Sequence, residues 1–198
     1  MRTKSTRRDS ILKAAAEAFA RYGYEKTTLD DISQSVGLNK ASLYYYFKNK
    51  DDLFVAVVVM ETSAFLADLQ AKTLAIPDVR RQIRYYLTEH IRRYDEVLHH
   101  SNISAERASI LDPIFRQVYG DLRQKDVAFL ATLLKRGVAE NTFSFPDTSL
   151  AVAENLLHLT LALEHEVVFM ARRQDSPGKL DFAPAIDHIE RLLRLALR

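Results

Sequence analysis

An all-α fold is what this sequence predicts, and three observations carry that expectation. Apolar residues recur at helical spacing along most of the chain. Five glycines and five prolines among 198 residues are too few for the many tight turns of an all-β fold. Capping residues stand where the periodic stretches begin. The length is ample for a hydrophobic core.

The first helix is expected over Arg8–Tyr22, with Ile11, Ala15, Phe19 and Tyr22 turned inward beside Leu12 and Ala18, and with Gly23 as its C-terminal stop. Thr28 then opens a short helix. Asp31 three residues later completes a capping box, and Leu29, Ile32 and Val36 form the apolar face. Gly37 breaks the chain, Leu38 tucks inward, and Asn39 caps a third helix carrying Leu43 and Phe47 on its inner side. Asn49 and Asp52 start a fourth helix, which runs through Leu53, Val57 and Met60 to about Lys72. Two helices of two turns cannot bury enough surface alone, so the pair around Gly37 must pack on helix one.

Beyond Pro77 the spacing of Val79, Ile83, Leu87, Ile91, Tyr94 and Leu98 predicts a long amphipathic helix. A short helical stretch over Ser104–Leu111 is expected to be interrupted by Pro113, with a further helix over Ile114–Glu140 and a loop over Asn141–Pro146. Leu150–Arg173 reads as a long apolar helix ended by Ser176-Pro177-Gly178. Pro184–Leu197 reads as a last one.

Composition narrows the function. With no cysteine, disulfides, thiolate metal sites and cysteine nucleophiles are excluded, and a cytoplasmic location is the expectation. The basic N-terminus has no apolar stretch behind it, and the longest apolar run, Leu53–Met60, is far short of the ~20 residues of a membrane span. Charge is unevenly spread. Residues 1–50 hold ten Lys and Arg against five Asp and Glu, whereas the remainder holds 18 against 21. The positive excess lies in the first quarter, which fits either an element facing phosphates or a basic tail that only aids solubility.

The third helix carries the most telling face. With Leu43 and Phe47 inward, Lys40, Ser42, Tyr44, Tyr45 and Tyr46 lie on or beside the outward side. Three consecutive tyrosines on a short exposed helix are unusual unless something binds them. A tyrosine ring packs on sugars while its hydroxyl donates to a phosphate oxygen. The backbone N–H groups at Asn39–Ala41 suit a phosphate or base edge, Thr28 and Lys50 flank the element as phosphate clamps, and Lys40 is placed to enter the major groove.

These residues also resemble a known family. Ile11-Leu12, Ala15, Phe19, Gly23-Tyr24, Thr27-Thr28, Asp31-Ile32, Val36-Gly37-Leu38, Lys40, Leu43-Tyr44-Tyr45, Phe47 and Lys50 make residues 8–55 similar to the DNA-binding domain of the TetR family of bacterial regulators. The resemblance implies about nine helices. Helices one to three bind DNA, helix four links the domains, and the rest form a regulatory bundle. It also implies a homodimer joined through the last two long helices and a repressor released by a small ligand. Carried over by position, the DNA contacts are Thr28, Lys40, Ala41, Tyr44, Tyr45, Tyr46 and Lys50. Ala41 stands where glycine is frequent and Tyr46 where histidine is frequent, so the family's operator preference does not transfer.

Signals in the rest of the chain are weaker. Glu154, His158, Leu161 and His165 share one stripe of their helix, which fits either an effector pocket or a dimer interface. Tyr85, Tyr86, Tyr94, Tyr119 and Phe129 fit either a cavity lining or plain core. His165-Glu166-Val167-Val168-Phe169 begins like a zinc-protease motif, but Phe169 occupies the place of the second histidine. His99 and His100 are adjacent and face different sides. Neither a catalytic triad nor a Gly-rich phosphate loop stands out, so no enzyme, cofactor or metal is expected. Ile186, Ile189, Leu193 and Leu197 make an apolar stripe that, with Leu156, Leu163 and Val167, suits a four-helix dimer interface.

The sequence is thus read as a DNA-binding domain over 5–65, with its recognition segment at 28–47, and a helical ligand-binding and dimerisation domain over 66–198. The expected function is a ligand-released homodimeric repressor on a palindromic operator, with the operator, a second copy and a small-molecule effector as partners. Tyr86, Tyr94, Glu154, His158 and His165 are the candidate effector contacts, and Leu163, Val167, Ile186, Ile189 and Leu193 the dimer contacts. An activator or architectural protein without an effector shares the same first 50 residues' logic.

Overall fold

The computed structural model describes residues 4–101, 105–144 and 149–173, together with Pro184, Asp187, His188 and Arg191. Side chains are described over 6–93, 120–144 and 149–163 and at those four positions. Within the described residues there are seven helices and no strand: α1 Lys4–Lys26, α2 Leu29–Ser35, α3 Lys40–Tyr44, α4 Lys50–Leu74, α5 Val79–Ser101, α6 Ala105–Ala139 and α7 Ser149–Arg173. The all-α expectation holds, with seven helices described against about nine expected. The expected last helix at Pro184–Leu197 lies largely outside the described residues. One expected break is absent: α6 runs straight through Pro113. A proline removes one N–H donor from a helix, and a 35-residue helix retains its other bonds.

The chain forms two compact units, Met1–Phe65 with Val97–Asp121, and Leu66–Glu96 with Leu122–Arg198. In the first unit, Ile11, Leu12, Ala15 and Phe19 of α1 meet Ile32 of α2, Leu43 of α3, Phe47, and Leu53 and Phe54 of α4 in one core. Leu29, Val36 and Leu38 pack against it half-buried. Each large side chain so buried stabilises by roughly 1.5–3 kcal/mol before conformational entropy is charged.

Tyr22 departs from its expected inward place. It is 53% exposed, while Tyr24 is 1% exposed and occupies the core. The reason is Gly23, whose backbone (φ 78°, ψ 164°) is non-helical and rotates the following residue inward. Tyr24 then stacks on Phe19 with centroids 5.9 Å apart and meets Phe54 edge-on at 5.0 Å.

The second unit is built from the end of α4, from α5 and α6, and from α7. Leu66, Leu69, Ile83, Tyr86, Leu87, Ile91, Leu130, Leu134 and Leu157 are among its buried residues. Asp78 caps α5 by accepting from the Arg81 N–H at 2.7 Å. α6 ends in a left-handed Asn141 (φ 54°), with the Thr142 N–H donating to the Gly137 carbonyl at 2.8 Å. Gly137 lies where the Phe143 ring packs closely against the helix. A Cβ there would lie 2.1 Å from Cε2 of the buried Phe143 ring.

Candidate nucleic-acid interface

The helix-turn-helix is assembled by local hydrogen bonds at each junction. Thr28, in extended conformation, caps α2. Its Oγ1 accepts from the Asp31 N–H at 3.2 Å, while Asp31 Oδ2 accepts from the Thr28 N–H at 3.1 Å and from its hydroxyl at 2.6 Å. The Thr28 hydroxyl, followed by its backbone N–H, holds the Asp31 carboxyl below the ordinary aspartate range. Gly37 makes the turn with φ +64°, and the Leu38 N–H closes it onto the Ser33 carbonyl at 2.8 Å. Asn39 then caps α3 by accepting from the Ser42 N–H at 2.8 Å. At the start of α4, Asn49 Oδ1 accepts from the Asp52 N–H at 2.7 Å and the Asp52 carboxylate accepts from the Lys48 N–H at 3.0 Å.

Helix α3 is shorter than expected, ending at Tyr44. Tyr45 and Tyr46 form the turn that follows, although the Phe47 N–H still reaches the Leu43 carbonyl at 3.1 Å. Helix ends commonly tighten in this way. The consequence is that the three tyrosines separate. Tyr44 is 46% and Tyr45 69% exposed. Tyr46 is half-buried, packed against the core and edge-on to Tyr45 with centroids 5.2 Å apart. The outward tyrosine face is therefore two residues wide, with Tyr46 supporting it from below.

Lys40 opens α3, one helical turn before Tyr44. Its ammonium pairs with Asp30 of α2 at 2.9 Å, both side chains being more than half exposed (56% and 50%). The Asp30 hydrogen bond and charge raise the Lys40 pKa above its ordinary value. Ala41 and Thr28 are exposed. Thus Thr28, Lys40, Ala41, Tyr44 and Tyr45 are all accessible. Lys50 is placed differently: its ammonium lies among the carbonyls of Tyr24, Glu25 and Thr27. Two residues outside the expected set also matter. Asp30 neutralises Lys40 across the turn, a pairing ten positions apart that no helical period announces. Arg8 stacks its guanidinium over Phe47 at 5.1 Å from the ring centroid, adding a cation from α1 beside the tyrosine turn. The run of basic residues before Arg8 was its signal.

Of the expected effector residues, Tyr86, Glu154 and His158 have described side chains. Tyr86 is fully buried, and its hydroxyl donates to Asp126 of α6. Glu154 and His158 are exposed on α7. The side chains of Tyr94 and His165 lie outside the described residues. Of the expected dimer contacts, Leu163 is half-buried, and Val167, Ile186, Ile189 and Leu193 lie outside the described side chains. Among the described residues no group of three or more metal-ligating side chains occurs.

Residues 11–57 match the family model described as bacterial regulatory proteins, tetR family. The segment with the capped turn and exposed Tyr44-Tyr45 is thus a member of a known class. Over these residues the chain is similar to the TetR family. This TetR-type segment is 49% identical over 47 residues to the biofilm operon icaADBC HTH-type negative transcriptional regulator IcaR of Staphylococcus epidermidis, and the match covers 24% of this chain and 25% of that protein. It is 36% identical over 70 residues to the HTH-type transcriptional regulator RutR of Escherichia coli, covering 35% of this chain and 33% of RutR. The chain thus aligns with only a quarter to a third of the length of these relatives. A crystallised transcriptional regulator from Cytophaga hutchinsonii extends the likeness at 26% identity, with a TM-score of 0.69 over 96% of this chain and 93% of that one. Among the described residues no helix is long and apolar enough to cross a membrane.

Proposed function

We propose that the protein is a cytoplasmic, homodimeric transcriptional repressor that binds a palindromic operator and is released by a small molecule. The observation that carries the DNA-binding part is the exposed Lys40–Tyr44–Tyr45 face at a capped α3, inside the segment that matches the TetR family. The reading assigns DNA binding to residues 5–65 and effector binding and dimerisation to residues 66–198. Thr28, Lys40, Ala41, Tyr44 and Tyr45 are the DNA-facing set, with Tyr46 as their support. Tyrosine rings lie on sugars, hydroxyls donate to phosphate oxygens, and Lys40, once parted from Asp30, enters the groove. Nothing in this role calls for catalysis.

Dimerisation is supported by α7, whose outer side exposes Leu150 (56%) and Leu159 (45%) around Glu154 and His158. Apolar residues left on a long helix suit the isologous face of a two-fold dimer. A dimer also doubles the few base contacts that one short helix can make.

Lys40→Ala and Tyr45→Ala are expected to abolish retardation of operator DNA in a gel-shift assay, while light scattering still finds a dimer. Retention of full DNA binding by both variants would overturn the assignment. The effector part is tested by thermal shift against a metabolite collection, followed by titration of any hit into the protein–DNA complex. A repressor of this type gains stability with the hit and loses DNA.

A further inference from the structure

Lys50 stands where the family's pattern suggests a phosphate clamp, yet its ammonium is already engaged within the protein. Nζ donates to the carbonyls of Tyr24 at 2.9 Å and Thr27 at 3.2 Å, with that of Glu25 farther away at 3.4 Å. An ammonium has three protons, and here three acceptors meet them. These carbonyls belong to the end of α1 and the segment just after it, where backbone acceptors lack helical partners and the helix dipole is negative. Nζ also lies 4.2 Å from the centroid of the buried Tyr24 ring. The next residue, Asp51, accepts from the Tyr24 hydroxyl. Two successive residues of α4 thus grip the same short segment. Its last member, Thr27, is buried, bonds back to the Gly23 carbonyl through its hydroxyl at 2.8 Å, and directly precedes the Thr28 cap of α2.

We infer that Lys50 is a positioning residue and not a phosphate contact. Its ammonium fastens the end of α1 and the Thr27-Thr28 junction to the first turn of α4, and so sets where α2 and α3 hold Thr28, Lys40, Tyr44 and Tyr45. Reaching a phosphate would strip it from three carbonyls and from the Tyr24 ring, leaving those acceptors without their cation. The inference rests on the DNA-binding reading above.

The test compares the full-length wild-type protein with Lys50→Met and Lys40→Met, using a mixed-sequence DNA duplex over a range of NaCl concentrations. Binding is measured well below every melting temperature. A lost phosphate contact flattens the slope of log affinity against log salt by about 0.9. Lys50→Met is expected to lower the melting temperature by roughly 3 °C or more and to weaken duplex binding roughly tenfold with an unchanged salt slope. Lys40→Met is expected to weaken duplex binding and leave the melting temperature unchanged.

A flattened slope in Lys50→Met makes Lys50 a phosphate contact and overturns the inference. So does an unchanged duplex affinity, which reduces the lysine to a stabilising role, and so does an unchanged melting temperature, which removes the clamp. If Lys50→Met fails to fold, the lysine ammonium resonances of the wild-type protein decide. A Lys50 signal that stays in place on adding duplex supports positioning, and one that moves with Lys40 overturns it. A wild-type protein that binds no duplex sinks the DNA-binding reading itself, while the melting comparison still judges the clamp.

Discussion

Within each of the two compact units the polar contacts mix short and long reach in different proportion. In the first, the starts of α2, α3 and α4 are tied by side chains to backbone groups three or four positions away, as at Thr28–Asp31, Asn39–Ser42, Asn49–Asp52 and Lys48–Asp52. The contacts of Lys50 and Asp51 with Tyr24, Glu25 and Thr27 span 23 to 27 positions. In the second, the polar contacts that join helices span 40 positions from Tyr86 to Asp126, 54 from Gln82 to Arg136, and 62 from Arg80 to Thr142. His90 approaches the same Asp126 at 3.3 Å. Local contacts can be read from residue spacing. Contacts of long reach exist only once helices have met, and they leave no periodic trace. The difference explains why the first 50 residues disclose their role while the remainder discloses little beyond being helical.

Core packing should be the least local feature of the first unit, and its loss the most severe. Leu43→Ala empties a fully buried site beneath the tyrosine face. It is expected to cost about 2–5 kcal/mol in denaturant unfolding, so a loss below ~1 kcal/mol would show that capping rather than packing holds α3.

In the second unit the comparable test is Gly137→Ala. Alanine at a helical glycine ordinarily stabilises by roughly 0.5–1 kcal/mol. Here the new methyl would collide with the buried Phe143 ring, so a net loss of about 1–3 kcal/mol is expected. A gain in stability would mean that Phe143 is free to move aside. Tyr86→Phe probes the same unit's long-range polar contact. It leaves the buried Asp126 without its phenol donor, and the expected cost of about 1–3 kcal/mol is read by thermal unfolding.

Thr28→Ala breaks the most legible of the local contacts, and a loss of about 1 kcal/mol is expected. This loss should depend on pH. Asp31 is held below its ordinary pKa by Thr28, so its contribution is fully present above the ordinary aspartate value and disappears as pH falls through the lowered one. The gap in melting temperature between wild type and Thr28→Ala should therefore narrow in acid. A gap that widens there would break the assignment of that shift to the cap.

The smallest effect on stability is expected at Asp30→Asn. Its ion pair with Lys40 is largely exposed, and such pairs contribute little. The melting temperature should not move. Duplex affinity should rise, because Lys40 no longer has to leave a carboxylate, and fluorescence anisotropy at low salt measures it. Unchanged affinity would mean that Lys40 does not face the DNA.

The primary sequence by itself determined the all-α class, the capping residues Thr28, Asn39 and Asn49, the turn at Gly37, and the apolar set Ile11, Phe19, Ile32, Leu43 and Phe47. All of these follow from helical periodicity and from the stereochemistry of neighbouring residues. Only the tertiary structure decided that Gly23 sends Tyr24 and not Tyr22 into the core, that Tyr46 supports Tyr45 from below, that Asp30 pairs with Lys40, and that Lys50 lies among the carbonyls that end α1. Each of these depends on where a side chain arrives after helices pack. A lysine written in the sequence is equally a phosphate clamp or a helix clamp, and the acceptors nearest its ammonium make the choice.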